Sequence, residues 1–389
     1  MDALARRAPS RAIWLAALCA CGGESSAPTP SPPSNTSSSA VATVDAADTA
    51  RLRAEHERVE RDIAAYDRER EVDDPANHGS GWTKWLPDAH ADLWGVYADG
   101  DDVLAVGQDA AILRSLDGGA SWRAIEAPAL RFQEPFEDHP ALIAKVIGSG
   151  PRRLVIGDDN SLVGVSSDGG ETWDRVTFGG SGSYRIDGKA EPTGAFLSGT
   201  DAYVSDVAVV HVSHDGGATW RAPALTIARD DNDVGNEGIR GLAGSPDGGA
   251  VYAYGQSRQK PWLAVSRDRG RSWQLLARSR DLAHQRTVLD LAVAPDRTMY
   301  ATFGADGSDE LQLGTSRDGA SWVFQPVGGD GWSWVAPDGT IFEGKQASSD
   351  RGKTWRRELG YSPMAMAFTK TAVFAVGHHG EVWIKRLAR

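Results

Sequence analysis

A segment of eight residues recurs six times along the chain and constrains its fold more than any other feature. It follows the pattern Ser-x-Asp-x-Gly-x-Ser/Thr-Trp, with one residue missing in the fifth copy, and its copies are Ser115–Trp122, Ser166–Trp173, Ser213–Trp220, Ser266–Trp273, Ser316–Trp322 and Ser348–Trp355. Counted from Asp to Asp, successive copies are 51, 47, 53, 50 and 32 residues apart. A period of about 40–50 residues is typical of one four-stranded propeller blade. The repeat therefore predicts an all-β propeller of four-stranded antiparallel blades.

Each residue type in this octet has a structural explanation. The turn joins the third and fourth strands of a blade, and its central Gly supplies a positive φ. The Asp and the hydroxyls form local hydrogen bonds in the turn, and the Trp buries a large apolar surface between the outer strands. A catalytic Asp repeated in every blade would make no chemical sense. We therefore interpret the octet Asp and Trp residues as structural: Asp117, Trp122, Asp168, Trp173, Asp215, Trp220, Asp268, Trp273, Asp318, Trp322, Asp350 and Trp355.

The two ends of the repeat region indicate how many blades there are. Three further strand-like segments, Met364–Phe368, Val373–Val376 and Val382–Lys385, follow the last octet without a fourth. Trp82–Leu86 precedes the first blade and would supply the missing outer strand, which removes the open sheet edge. We therefore predict seven blades within residues 82–386. Six blades, with the 32-residue step marking a degenerate one, is the alternative.

The N-terminus has the pattern of an export signal. Three Arg residues precede the apolar run Ala12–Ala20, which has the length of a signal peptide and not of a membrane span. The run continues into Leu18-Cys-Ala-Cys21-Gly22, which resembles the bacterial lipobox. This resemblance implies that residues 1–20 are a lipoprotein signal peptide and that Cys21 is acylated. It also implies a protein exported to the cell envelope and anchored in its membrane, the outer membrane in a Gram-negative host because Gly22 follows.

Two segments separate this anchor from the propeller. Residues 21–45 are rich in Ser, Pro and Ala, a composition typical of a disordered tether. Residues 46–75 contain a stretch, Ala46–Glu71, that lacks Gly and Pro and carries its apolar residues near one helical face. It is predicted to be a helix, either a spacer, a helix docked on the propeller or a dimerising coiled coil.

The repeated residues resemble a known group of propellers. The octets resemble the Asp-box, or BNR, repeats of bacterial sialidases and sortilin-type receptors. The run of Trp94–Tyr97, Leu104–Gly107 and Ile112–Ser115 before the first octet is also similar to the propellers of photosystem II assembly factors and their bacterial relatives. This resemblance covers about residues 82–386 and implies the fold. It does not select a function, because the repeat occurs in enzymes, receptors and assembly factors alike.

Ligands of such propellers usually contact the face away from the octets, where the interblade loops lie. Several of these loops are long, which is typical of functional loops. An exposed aromatic patch of Phe132, Phe136, Tyr184 and Trp332 is expected there. The candidate ligand-face residues are Arg131, Phe136, Tyr184, Arg185, Asp230, Asp233, Glu237, Arg240 and Trp332.

The sequence offers little sign of catalytic or cofactor chemistry. Tyr184-Arg185-Ile186-Asp187 is similar to the Arg motif of sialidases, but it lies between the second and third octets and has Asp where the motif has Pro. No catalytic residue and no cofactor is assigned. Asp230, Asp231 and Asp233 are the only metal candidate, for Ca²⁺. The net charge of −12 disfavours a nucleic-acid partner.

Three functional hypotheses follow from these observations. The favoured one is a non-catalytic binding or scaffolding module with a protein or glycan partner in the envelope. The alternative is a sialidase-like or other glycoside hydrolase, which requires two carboxylates across an acidic cleft at the ring centre. In the third, the ring is a spacer and the helix at residues 46–71 makes the essential contact.

Overall fold

The computed structural model contains one propeller, built from strands and turns. The structure describes residues 81–85, 91–131, 142–157, 162–178, 192–206, 209–222, 237–245, 247–257, 260–278, 282, 285–305, 311–327 and 333–387. The predicted signal peptide, Cys21, the predicted tether and the predicted helix lie outside these ranges. Within these ranges the helical elements are three short 3-10 turns, at Gln108–Ala110, Pro128–Leu130 and His378–Gly380. None of the described helices has the length and apolar character needed to cross a membrane.

Twenty-seven strands form seven antiparallel sheets. In chain order they are β1 (Trp82–Trp85), β2 (Leu93–Asp99), β3 (Asp102–Gly107), β4 (Ile112–Ser115), β5 (Arg123–Ala124), β6 (Ile143–Ser149), β7 (Arg152–Gly157), β8 (Val163–Ser166), β9 (Asp174–Val176), β10 (Pro192–Ser198), β11 (Asp201–Asp206), β12 (Val210–Ser213), β13 (Glu237–Gly244), β14 (Val251–Ser257), β15 (Lys260–Ser266), β16 (Gln274–Arg278), β17 (Gln285–Val293), β18 (Met299–Ala305), β19 (Leu311–Ser316), β20 (Val323–Val327), β21 (Ser333–Val335), β22 (Ile341–Glu343), β23 (Gln346–Ser348), β24 (Arg356–Arg357), β25 (Ala365–Phe368), β26 (Ala372–Val376) and β27 (Val382–Arg386).

The sheets are the seven blades predicted from the sequence, so the six-bladed alternative is wrong. Blades 1 to 6 begin with β2, β6, β10, β13, β17 and β21, and the next strands along the chain follow in order within each sheet. Blade 7 has the order β25-β26-β27-β1, so its outer strand comes from the N-terminal end of the propeller. The predicted ring closure by Trp82–Trp85 is thereby confirmed, with β1 antiparallel to β27.

Blade 3 departs from the four-stranded pattern in the described residues. Its sheet contains β10, β11 and β12, and beyond β12 only an isolated bridge joins Val212 to Arg221. In the described residues the fourth strand of this blade is thus reduced to that bridge, whereas the other blades form a ladder at this place.

The core lies between neighbouring blades. Leu104, Ile112 and Val155 belong to one buried cluster that joins blades 1 and 2, and Val103, Phe374 and Ile384 belong to another that joins blades 7 and 1. The first strands of neighbouring blades also contact one another, so they surround the ring axis. Because the strands of a blade alternate in direction, the octets lie on one face, named here the octet face. The interblade connections lie on the other, named the loop face.

Candidate functional site at the channel mouth

The polar groups of the octets are used within their own turns. In the first copy, the hydroxyl of Ser115 donates to Asp117 at 2.8 Å and accepts from the N–H of Gly119 at 2.7 Å. Asp117 accepts from both the N–H and the hydroxyl of Ser121, at 2.8 and 2.6 Å. These bonds favour the charged carboxylate, and those from Ser121 contribute most to lowering the pKa of Asp117 to about 2. The octet carboxylates are therefore turn acceptors.

In the five full-length octets two successive residues have positive φ, and not only the central Gly expected from the sequence. The residue before that Gly is Arg269 in the fourth copy and Arg351 in the sixth, with φ of 62° and 65°. In these two copies the indole N–H groups of Trp273 and Trp355 have no hydrogen-bond partner among the described residues. In the first copy, Trp122 donates to the carbonyl of Gly119 at 3.2 Å.

Ion pairs on the octet face link consecutive blades. Arg269 of blade 4 makes a bidentate contact with Asp201 of blade 3, and Arg351 of blade 6 pairs with Asp296 of blade 5 at 3.4 Å. The buried Arg114 of blade 1 bonds to Glu171 of blade 2. These three pairs thus link neighbouring blades on the octet face.

Most of the predicted ligand-face residues lie outside the described residues. These are Phe136, Tyr184, Arg185, Asp230, Asp233 and Trp332, together with Phe132 of the expected aromatic patch and Asp231 of the calcium candidate. Of Glu237 only the backbone is described, at the start of β13. Arg131 is exposed and pairs with Glu126 at 2.7 Å. Arg240 lies on β13, the innermost strand of blade 4.

Arg240 belongs to a set of bulges that the sequence analysis missed. Five innermost strands shift register near their first residues, where the chain enters from the loop face. A bulge places an extra residue opposite one partner residue and redirects its side chain. Strand β17 shifts twice, at Arg286 and at Leu289. The bulge ring is defined here as Trp94, Ala144, Thr193, Arg240 and Leu289. All five are partly exposed although they lie on innermost strands, so this end of the channel has an accessible mouth.

The residue after each bulge is Gly in three of these strands and a charged residue in the other two. Gly95, Gly194 and Gly241 are the glycines, and Lys145 of blade 2 and Asp290 of blade 5 are the exceptions. Blades 2 and 5 are not neighbours, so their side chains interact across the ring axis. Both residues follow a bulge of an innermost strand, and each charge opposes the effect of burial on the pKa of the other group.

Asp290 is held by three donors from three blades. Its carboxylate accepts from the N–H of Leu291 at 2.9 Å, from the N–H of Ser333 in blade 6 and from the hydroxyl of Tyr254 in blade 4 at 3.3 Å. A Cβ at Gly241 would lie 2.2 Å from that hydroxyl, so the glycine leaves the space that Tyr254 occupies. Burial raises the pKa of Asp290, while Lys145 and the three hydrogen bonds oppose the rise.

Lys145 is bonded differently. No hydrogen bond or ion pair is formed by its ammonium group with any residue in the described ranges, and Asp290 acts on it only as a nearby charge. The side chain is partly exposed at the mouth, with protein packed around much of it. Burial therefore lowers the pKa of Lys145, and Asp290 opposes this effect. At the mouth, the Asp290 carboxylate thus already accepts hydrogen bonds from the protein, whereas the Lys145 ammonium group donates none to the described residues.

A second carboxylate lies close by, in the interface of blades 5 and 6. Glu343 is fully buried and accepts from the hydroxyl of Ser333, which lies 2.5 Å from the hydroxyl of Thr302. Ser333 thus connects Glu343 to Asp290, through its hydroxyl and its N–H. A glycosidase needs two carboxylates that both contact its substrate. Glu343 is sealed from solvent, so this pair does not form such a site.

Among the described residues, no group of three or more His, Cys, Asp or Glu side chains is arranged to bind a metal ion. The calcium candidate is not tested by this, because its residues lie outside the described ranges.

The comparisons with known proteins establish the fold. No protein-family model matches the chain, and neither does any curated protein. Solved structures of YCF48 match it: one is bound to D1 peptide, with 15% identity, 80% of this chain and 98% of that chain covered and a TM-score of 0.57. Another, from Cyanidioschyzon merolae, has 18% identity, coverage of 79% and 99% and a TM-score of 0.54.

An ancestral GH74 enzyme also matches, with 14% identity and a TM-score of 0.53. The match covers 78% of this chain but only 46% of the enzyme. At these identities the similarity extends to the propeller architecture alone. The resemblance to propellers of photosystem II assembly factors seen in the sequence is matched at this level.

Proposed function

We propose that this protein is a non-catalytic binding module that takes up a segment of a protein partner at the channel mouth on its loop face. One observation carries the proposal: five innermost strands bulge at the same end of the channel and present partly exposed side chains there. Bulges of this kind often lie beside functional sites, where they direct side chains toward a ligand.

The chemistry of the mouth favours a protein segment over a glycan. Trp94 and Arg240 are of the residue types most often found at energetic centres of protein interfaces, and Leu289 adds an aliphatic surface. Lys145 and Asp290 contribute charges of both signs, which suit a peptide and have no counterpart in a neutral sugar. One propeller of this fold, YCF48, has been solved with a bound peptide, which agrees with this use of the architecture.

Peptide selection tests the proposal. A phage-displayed library of random 12-residue peptides would be selected on the purified propeller, and the selected peptides measured by fluorescence anisotropy. Trp94→Ala should weaken binding more than tenfold, since truncating an energetically central interface residue costs about 2 kcal/mol or more.

The matched controls are exposed apolar residues on the octet face. Leu116 and Val323 are 58% and 74% exposed, and Leu116→Ser and Val323→Ser should leave peptide affinity unchanged. If these variants abolish binding while Trp94→Ala does not, the binding surface lies on the octet face, which contradicts the proposal. Selection of glycans but of no peptide on the same protein would also contradict it.

The proposed location is the bacterial cell envelope, with the lipid anchor at Cys21 and residues 21–45 as the tether. The support is the apolar run Ala12–Ala20 followed by Cys21. Expression in a Gram-negative host with an alkyne-labelled palmitate should label the protein, and Cys21→Ser should remove the label. Labelling that survives Cys21→Ser would contradict the assignment.

A further inference from the structure

We infer that the ammonium group of Lys145 binds a carboxylate of the ligand at the channel mouth. The inference deepens the proposed function and rests on it, since it specifies one chemical group that the bound segment must carry.

The Lys145 ammonium group has hydrogen-bond donors that the described residues do not use. An ammonium group has three donors and no acceptor. In the described part of the chain, Lys145 has neither a hydrogen-bond acceptor nor an ion-pair partner, although protein is packed around much of it. A partly exposed ammonium group that follows a bulge on an innermost strand and has no partner among the described residues is placed to bind an anion that enters the mouth.

The bonding of Asp290 favours an anionic ligand group over a cationic one. Among the described residues, Asp290 is the acidic group that acts on Lys145 electrostatically, and its carboxylate already accepts from Leu291, Ser333 and Tyr254. A ligand cation at Asp290 would compete with these bonds and would be repelled by Lys145. A ligand carboxylate at Lys145 would form bonds that the protein alone does not.

Substitutions of Asp290 and of Lys145 should change the affinity for the ligand in opposite directions. While Lys145 carries its charge, Asp290 repels an incoming carboxylate and attracts the ammonium group, so it opposes anion binding, although it also favours the charged form of Lys145. Asp290→Asn removes that opposition and keeps an oxygen that accepts from the N–H of Leu291. Lys145→Met removes the binding group with little change in side-chain length.

The experiment uses a peptide selected on the wild-type propeller and measures its Kd by fluorescence anisotropy. Lys145→Met should weaken binding roughly tenfold to a hundredfold, the range expected for a hydrogen bond to a charged group. Lys145→Arg should retain most of the affinity, and Asp290→Asn should tighten binding severalfold. Amidating the peptide C-terminus, or replacing its Asp and Glu by Asn and Gln, identifies which carboxylate is bound.

The control is Lys353→Met, which removes an exposed lysine on the octet face and should leave Kd unchanged. Thermal unfolding of each variant checks that the propeller remains folded. Peptide binding that is insensitive to Lys145→Met, or that is tightened by it and weakened by Asp290→Asn, would overturn the inference while leaving the proposed function intact. Failure to select any peptide would instead contradict the proposed function.

Discussion

Trp82 and Lys385 lie directly opposite each other in the antiparallel pairing of β1 and β27, although they come from the two ends of the propeller. Both donate to the same oxygen, Oε1 of Glu358 in blade 6, with Trp82 at 3.3 Å. Glu358 is buried, and Trp82 belongs to the cluster between blades 6 and 7. On the other side, Trp85 stacks on the octet Trp122 of blade 1, with ring centroids 5.3 Å apart. The closing strand therefore contacts the blades on both sides of the closure.

Removal of Trp82 should open this closure. Trp82→Ala is expected to lower the free energy of unfolding by about 3–5 kcal/mol, the usual cost of truncating a buried Trp. Urea denaturation followed by tryptophan fluorescence measures the change. Thr83→Val, at the exposed neighbouring position, should cost no more than about 1 kcal/mol because it loses one hydrogen bond to Ile384. Equal effects of the two variants would contradict this role of Trp82.

The second glycine of an octet is required for two separate reasons. Gly119 has a φ of 88°, and a Cβ there would lie 2.4 Å from Ile384 in blade 7. Gly119→Ala should therefore destabilise the protein by about 2–4 kcal/mol, which combines backbone strain with overpacking. Gly100, with a φ of 59° and nothing within 4 Å of its Cβ position, provides the backbone cost alone. Gly100→Ala should cost about 1 kcal/mol, and similar unfolding midpoints for both variants would show that interblade packing at Gly119 is unimportant.

Acid should weaken the octets. The pKa of Asp117 is lowered to about 2 from an ordinary value of 3.8, so the folded state favours the charged form. The stabilisation is complete above 3.8 and is lost as the pH falls toward about 2. Asp117→Asn should therefore destabilise the protein most near neutral pH, and the difference from wild type should shrink in acid. Ser121→Ala removes a donor to Asp117 and should reduce this pH dependence, whereas a difference that stays constant with pH would be inconsistent with the hydrogen bonding described.

Asp290 should show the opposite pH dependence. Its pKa is raised, so its contribution to stability is largest in acid and is lost as the pH rises through the folded-state pKa. Relative to wild type, Asp290→Asn should become more stable as the pH increases above about 4, the ordinary pKa of an Asp carboxyl. Chemical denaturation at several pH values measures the trend. A trend of the same sign as that of Asp117→Asn would show that the charge of Asp290 is stabilised and not penalised at the mouth.

Local patterns in the sequence were sufficient to predict the fold. The octets mark the third-to-fourth strand turns, and the aromatic segment at Trp82–Trp85 is correctly predicted as the closing strand. The missing fourth strand of blade 3 was not predicted, because an octet ending in Trp220 does not reveal that the ladder stops at Arg221. The positive φ of Arg269 and Arg351 was also not predicted, since nothing in the sequence marks those arginines as turn residues.

The site was less accessible to sequence reasoning because it depends on contacts across the ring. Lys145 and Asp290 lie in different blades, and nothing local indicates that they face the same space. One signal was present: aligned on their bulges, the innermost strands contain Gly95, Gly194 and Gly241 at one position, where the other two contain Lys145 and Asp290. Charged residues at a position otherwise occupied by glycine were the feature to examine.

Hydrogen–deuterium exchange with and without a selected peptide tests the central claim, which is that the protein binds its partner at the channel mouth. When the peptide is bound at the mouth, exchange should be slower at the starts of the innermost strands, around Trp94, Ala144, Arg240 and Leu289, and unchanged in the octets. Protection confined to octet segments such as Ser115–Trp122, with no change at the bulge ring, would contradict it.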